Sequence, residues 1–324
     1  MARRVGQRGG ALLAVLWISA ALTAIAFGVA ATVRTETERT STLSEGVRAW
    51  YLAAGAIERV WLYVQWGPGY RNPDGTPKFF EQGMARVFLN FPTGAAVVEV
   101  IPETAKLGLN TGRPEEILKV LMLLNIEPER AQQIVAAIVD WRSGVPGGLS
   151  MFDQFYMSLV PSFRARHASF EQTEELLLVR GMTPELYYGT AVQGDQGQLV
   201  PLPGLRDCLS VYGSELMIDV NHAEPAVLGA IGIVPEAVAE IVARRRVQPY
   251  KTVQELTPLM QFAGPGARRL MVGGSTIFTF RATARLRLPN GQMSDMSRTV
   301  SAMLKFHQKS VTTPPIEVLR WYDY

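Results

Sequence analysis

The chain opens on a long run without charge. Residues 11–33 (ALLAVLWISAALTAIAFGVAATV) are 23 consecutive uncharged positions. As a helix rising about 1.5 Å per residue, such a run reaches roughly 35 Å, enough to cross a bilayer core. Beyond Arg34 the pattern becomes amphipathic. Leu43, Val47, Trp50, Ala54, Ile57, Trp61 and Val64 fall at alternating steps of four and three, one stripe of a helix, with Glu36, Arg39, Glu45, Arg48, Glu58 and Arg59 largely off it. Gly67-Pro68-Gly69 ends the pattern. The spacing predicts one continuous helix, membrane-spanning in its first half and packed on a head domain in its second. Residues 68–94, rich in Pro, Gly and Asn, read as loops. Residues 97–101 suit a short strand, and 276–288 alternate as a long one. Pro289-Asn290-Gly291 turns that strand, 297–306 returns antiparallel, and 316–321 adds another.

Between these strands lies a helical region with an internal repeat. The first copy reads Leu109-Asn110-Thr111-Gly112-Arg113-Pro114, then Pro128-Glu129 and Ile134-Val135-Ala136. The second reads Val220-Asn221-His222-Ala223-Glu224-Pro225, then Pro235-Glu236 and Ile241-Val242-Ala243. The Asn-to-Pro step is four and the Pro-to-Ile step six in both. Each copy later has an aromatic residue followed five positions on by Glu-Leu, at Phe170 and at Tyr250. Asn110 and Asn221 are expected to cap or brace a helix start, since the Pro after each suits an early helical position. The Ile-Val-Ala segments are expected to be buried helix faces.

Composition narrows the function. With 48% hydrophobic and 19% charged residues, the chain is neither collagen-like nor disordered, and a single cysteine, Cys208, excludes an intramolecular disulfide or a Cys-based metal site. The net charge of +3 is localised: Arg3, Arg4 and Arg8 are the only charges in the first 33 residues, and without residues 1–9 the balance is 29 basic to 29 acidic. A basic flank before the span puts the N-terminus on the cytoplasmic side. Three fates of the span stay open: a signal cleaved after Ala24-Ile25-Ala26 or Gly28-Val29-Ala30, an uncleaved anchor, or a leader cut before the span. The junction Gln7-Arg8-Gly9-Gly10-Ala11-Leu12-Leu13 resembles that of type IV pilins and pseudopilins, which are cut there and keep the hydrophobic segment. The resemblance implies cleavage after Gly9, with Gly10 the alternative, and lateral packing through Leu12, Leu13, Leu16 and Trp17. Most such proteins carry Glu at the fifth mature position; here Ala14 or Val15 stands there and the span has no acid. An intramembrane carboxylate needs a partner, so its absence fits a subunit with no neighbour above it.

Over most of its length the chain resembles the type II secretion minor pseudopilin K family. The resemblance runs through Val15-Leu16-Trp17, residues 33–37 (VRTET) and 52–58 (LAAGAIE). It continues through the Asn110 helix start, Asp140-Trp141-Arg142, residues 170–187 and the Asn221 motif. It implies an α+β, pilin-like fold: a long N-terminal helix on an antiparallel sheet, with a large duplicated insert similar to helix-hairpin-helix units. The expected organisation is a leader at 1–9, a transmembrane and stem helix at 10–66, a head from 67–103 and 273–324, and an insert at 104–272. The expected location is the inner membrane, single-pass, head in the periplasm, with prepilin peptidase and minor pseudopilins I and J as partners. The expected work is to initiate and cap the pseudopilus.

Other chemistry is sparse. His167, His222 and His307 show no His-Glu-x-x-His spacing, and neither a phosphate loop nor a Gly-x-Ser-x-Gly elbow is present, so no enzyme is expected. Asp140 and Asp153 flank a Gly-rich loop, and because pseudopilins as a group often use calcium they are the candidate Ca2+ ligands; a helix-end clasp is the alternative. The repeated motif also resembles helix-hairpin-helix DNA binders, which would make the chain a membrane-anchored DNA receptor. The copy at Asn125-Ile126-Glu127-Pro128-Glu129 would set carboxylates against phosphate, and the neutral balance lacks the footprint of DNA binding. No nucleic acid partner is expected.

Overall fold

A computed structural model describes residues 8–194, 197–307 and 315–323. The leader residues Arg3 and Arg4 lie outside that range. Helix α1 (Arg8–Trp66) is continuous through the uncharged run and the amphipathic segment, and among the described residues it is the helix long and apolar enough to cross a membrane. Pro68 and two glycines close it in a single 3-10 turn.

The head follows. Strands β1 (Arg86–Phe91) and β2 (Gly94–Pro102) form a hairpin. Residues 86–91 were expected to be loop; their alternation of Val87 and Leu89 inward with Arg86 and Phe88 outward is a strand signal obscured by the surrounding Pro, Gly and Asn. The chain then leaves the sheet through the insert: β3 (Leu107–Gly108), α2 (Pro114–Leu123), α3 (Pro128–Arg142), α4 (Asp153–Met157), α5 (Pro184–Tyr188), β4 (Thr190–Gln193), β5 (Leu199–Leu202), α6 (Leu205–Cys208), β6 (Leu209–Ser210), β7 (Ile218–Asp219), α7 (Pro225–Ala230), α8 (Pro235–Val247), α9 (Leu259–Phe262) and β8 (Leu270–Met271). It returns as β9 (Ile277–Arg287), β10 (Met293–Phe306) and β11 (Ile316–Asp323). The head sheet has the order β1-β2-β9-β10-β11, antiparallel throughout.

Two cores result. In the head, Ala53, Ala56, Ile57 and Val60 of α1 pack on Val98, Val100, Phe280, Ala282 and Ala302. Alanines on both sides let helix and sheet approach closely. Of the apolar stripe read from the sequence, Ile57 is fully buried while Leu43 and Val47 stand exposed; the buried face is rotated toward Ala49, Ala53 and Val60. The insert has its own larger core, with Ile117, Leu121, Ile134, Ile138, Tyr156, Leu176, Leu228, Ile241 and Tyr250 at its centre. Its departure and return are neighbours in the sheet, since Pro102 pairs with Phe278. Adjacent ends are what allow a domain to be inserted without disturbing its host. At this exit the buried Glu103 accepts from Lys106 (3.3 Å) and from the Thr279 hydroxyl (2.6 Å), tying the insert's first residues to β9.

Candidate functional site

The repeat is structural to its atoms. Each copy is opened and closed by a two-residue parallel bridge, β3 with β6 and β7 with β8. In the first copy Asn110 Nδ2 donates to the Phe170 carbonyl (2.9 Å) and Phe170 N–H donates to Asn110 Oδ1 (2.7 Å). In the second Asn221 does the same with Tyr250, at 2.9 and 2.8 Å. One amide side chain thus mimics a strand partner for a backbone segment 60 or 29 positions away, satisfying groups that burial would otherwise leave bare. The expected brace is present, across the fold rather than on the next helix.

A second matched pair locks each brace. Arg142 donates to the carbonyls of Leu109 (2.7 Å) and Gly112 (2.8 Å), and Arg245 to those of Val220 (3.0 Å) and Ala223 (2.7 Å). Burial lowers the pKa of both guanidiniums; the carbonyls they hold are the groups flanking each Asn. The residue before each arginine covers the aromatic: Trp141 lies parallel to Phe170, while Arg244 sits 4.1 Å over the Tyr250 ring. Trp141 Nε1 donates to Glu175 (3.3 Å), and Arg244 pairs with Glu255. The hairpin turns also match. Asn125 and Gly232 both take positive φ, and Ile126 N–H to Leu121 O (3.0 Å) and Ile233 N–H to Leu228 O (3.2 Å) close the same helix-terminating motif. In the first copy Glu127 then fills the start of α3, accepting from Glu129 N–H and Arg130 N–H. A carboxylate already occupies the position a phosphate would take.

The two candidate metal ligands are brought together, but around the ring of His167. Asp153 is buried; its Oδ1 accepts from Ala165 N–H (3.2 Å), and its Oδ2 from Ser150 N–H (2.9 Å) and His167 Nε2 (2.9 Å). Asp140 accepts from the Ser150 hydroxyl (3.0 Å), and that hydroxyl takes the Asp153 N–H (3.2 Å) in a reciprocal cap at α4. His167 Nδ1 lies 3.2 Å from the Asp140 carbonyl at the end of α3. Both ring nitrogens face acceptors, which favours the imidazolium. Burial pushes the His167 pKa down, but the Asp153 hydrogen bond and the Asp140 carbonyl outweigh it and the net shift is up from 6.5. Burial likewise raises Asp153, and the donors from His167, Ser150 and Ala165 reverse it to a net lowering from 3.8. The Asp153 oxygens are committed to N–H donors, and among the described residues no three His, Cys, Asp or Glu side chains gather as a metal requires. As arranged, the pair does not fit Ca2+: His167, Ser150 and Ala165 already engage the Asp153 oxygens, and the part played by His167 leaves no local sequence signal because 14 residues separate it from Asp153.

The remaining candidates lie on α1. Leu12, Leu13, Leu16 and Trp17 are all exposed on the span, and Gly10 has open space around its backbone. Gly9 sits within α1. At the other end of this helix, Val64, Gln65 and Pro68 face Pro102 of the head and Asp219 and His222 of the insert across a cleft of about 350 Å³, so the insert borders the end of the stem farthest from the span.

Comparison with known proteins agrees with this geometry. Residues 108–189 match the family described as type II secretion system (T2SS), protein K, a match that takes in the first brace, its arginine and the His167 clasp. The fold is similar to a chain in the crystal structure of the GspK-GspI-GspJ complex from the enterotoxigenic Escherichia coli type 2 secretion system, with 16% identity and a TM-score of 0.56 over 88% of this chain and 99% of that one. No curated protein matches the chain. The family resemblance and the α+β fold read from the sequence are borne out.

Proposed function

We propose that this chain belongs to the type II secretion protein K family, which residues 108–189 match, and works as a minor pseudopilin that initiates and caps the pseudopilus. The role is non-catalytic and its mechanism is assembly. The carrying observation is the insert itself: a body with its own core borders the end of the stem farthest from the span, where its bulk would obstruct a further subunit. The acid-free span supports the same reading, because nothing in it calls for a neighbour's terminal amine. Arg3, Arg4 and Arg8 ahead of the span favour a cytoplasmic N-terminus and a periplasmic head. The similar GspK-GspI-GspJ complex makes the I and J minor pseudopilins the expected partners, and the Gly9-Gly10 junction makes prepilin peptidase the processing enzyme.

The capping role is tested by joining residue 103 to residue 273 through a short turn. Pro102 pairs with Phe278, so the chain leaves and re-enters the sheet side by side and the head can keep its sheet. Pseudopili assembled with the shortened chain are expected to be longer than those made with the full chain; equal lengths would remove the capping role. Replacing Gly9 by leucine is expected to leave the leader attached, read by the mass of the membrane-extracted chain, and normal processing at that site would exclude the proposed cut.

A further inference from the structure

Head and insert share no apolar core. Among the described residues, no side chain buried in or packed against one core belongs to the other. What joins the two bodies at their periphery is charge. Glu81, ahead of β1, meets Lys251 (3.2 Å), Arg281 of β9 meets Asp207 (3.3 Å), and Arg320 of β11 meets Glu174 (3.3 Å). These pairs run from one side of the head sheet to the other. Between the bodies lie the 350 Å³ cleft and a second of about 790 Å³, lined by Arg86, Glu99 and Arg281 of the head and Tyr188, Asp207 and Glu224 of the insert.

The charges in these pairs have other places to go. Glu81 also pairs with Arg71 (2.9 Å) and Arg281 with Glu99 (3.4 Å), both within the head. Arg320 lies 4.8 Å from the Tyr322 ring, Asp207 accepts from Gly204 N–H (3.1 Å), and Lys251 is half-exposed. The centre of the junction is different. Buried Glu103 ties Lys106 to Thr279 where β2 and β9 lie side by side. On the return, Gly273 N–H is held by Asp219 of the insert (3.0 Å) and the Ser275 hydroxyl by the Ile277 carbonyl (2.7 Å). Gly274 between them has φ 78°, a conformation that glycine adopts freely.

We infer that the insert is a rocking body, pivoted on Glu103 and Gly274 and latched across the sheet by the three ion pairs. An interface this polar leaves relative motion as the default. Exposed ion pairs hold weakly and weaken further as salt screens them, and their members fall back on partners in their own body. The two clefts are the clearance for the motion. The inference does not depend on the pseudopilin reading.

The test uses the full chain in detergent micelles, with nitroxide labels on cysteines placed at Phe88 of the head and Val247 of the insert, both exposed. The native Cys208 is buried. A control pair at Val160 and Val247 lies within the insert. At about 0.01 M salt, where charges reach about 30 Å, one narrow head-to-insert distance is expected; at about 1 M it should broaden about twofold while the control stays fixed. Arg320→Glu should broaden it at low salt, and adding Glu174→Arg should narrow it again. An unchanged narrow distance under all these conditions would overturn the rocking body. Broadening by salt that neither substitution affects would overturn the latches. Broadening of the control pair would show the insert loosening internally, and would overturn the pivot.

Discussion

The two copies of the insert answer one structural problem with partly different residues. Each must hold an extended segment against the start of its first helix, and each does so with an Asn that bonds both backbone groups of an aromatic residue, and with an Arg that clasps the carbonyls around that Asn. What varies is the cover and the connection. Trp141 over Phe170 becomes Arg244 over Tyr250, both flat groups with an N–H to spend on a Glu. The connection from arginine to aromatic is long in the first copy, where it is organised by the Asp153–His167 clasp, and short in the second, which lacks a counterpart there. The lesson is that the hydrogen-bonding geometry of the backbone is the invariant, and the side chain that shields it is replaceable.

The largest effect should come from the braces. Asn221→Ala leaves the Tyr250 N–H and carbonyl unpaired inside the core and is expected to cost about 3 kcal/mol in chemical denaturation. Asn110→Ala, at a less buried brace, should cost less, about 2 kcal/mol; equal costs would mean burial does not separate the copies. Next comes the clasp. His167 is raised above 6.5 in the fold, so its contribution is full below 6.5 and is lost as pH rises through the raised value; Asp153 is lowered below 3.8, so its contribution is present above 3.8 and is lost as pH falls through the lowered value. His167→Gln should therefore destabilise by about 1.5 kcal/mol between those limits and by much less at alkaline pH, read as Tm against pH; a constant difference would remove the ionic part of the clasp. The smallest effect belongs to the cover. Arg244→Trp makes the second copy like the first and should change stability by less than about 1 kcal/mol, whereas Arg244→Ala, which uncovers Tyr250, should cost more than Arg244→Trp. The reverse order would show that charge, not coverage, is what position 244 provides.

Much of this architecture is legible in the linear pattern because its causes are local. The uncharged run, the Gly-Pro-Gly stop, the long alternating strand with its Pro-Asn-Gly turn and the equal Asn-to-Pro spacing each act within a few residues. Strand β1 was hidden because its alternation lies in a stretch whose composition signals loops. The exposed hairpin β4–β5 has no inward face to produce a period at all.

What only the folded chain decided is which of several compatible partners each residue takes. The sequence marks Asn110 and Asn221 as braces but cannot say that they reach Phe170 and Tyr250, because hydrogen bonds across 60 and 29 positions leave no periodic trace. It sets Asp140 and Asp153 beside a loop, and packing brings His167 onto the Asp153 carboxylate and the Asp140 carbonyl. It gives the stem an apolar stripe, and the close fit of alanines against the sheet rotates the buried face away from part of that stripe, leaving Leu43 and Val47 free. Local pattern fixes the elements and their periods; the partners are chosen by packing, where the closest sterically possible approach and the last unsatisfied polar atom decide.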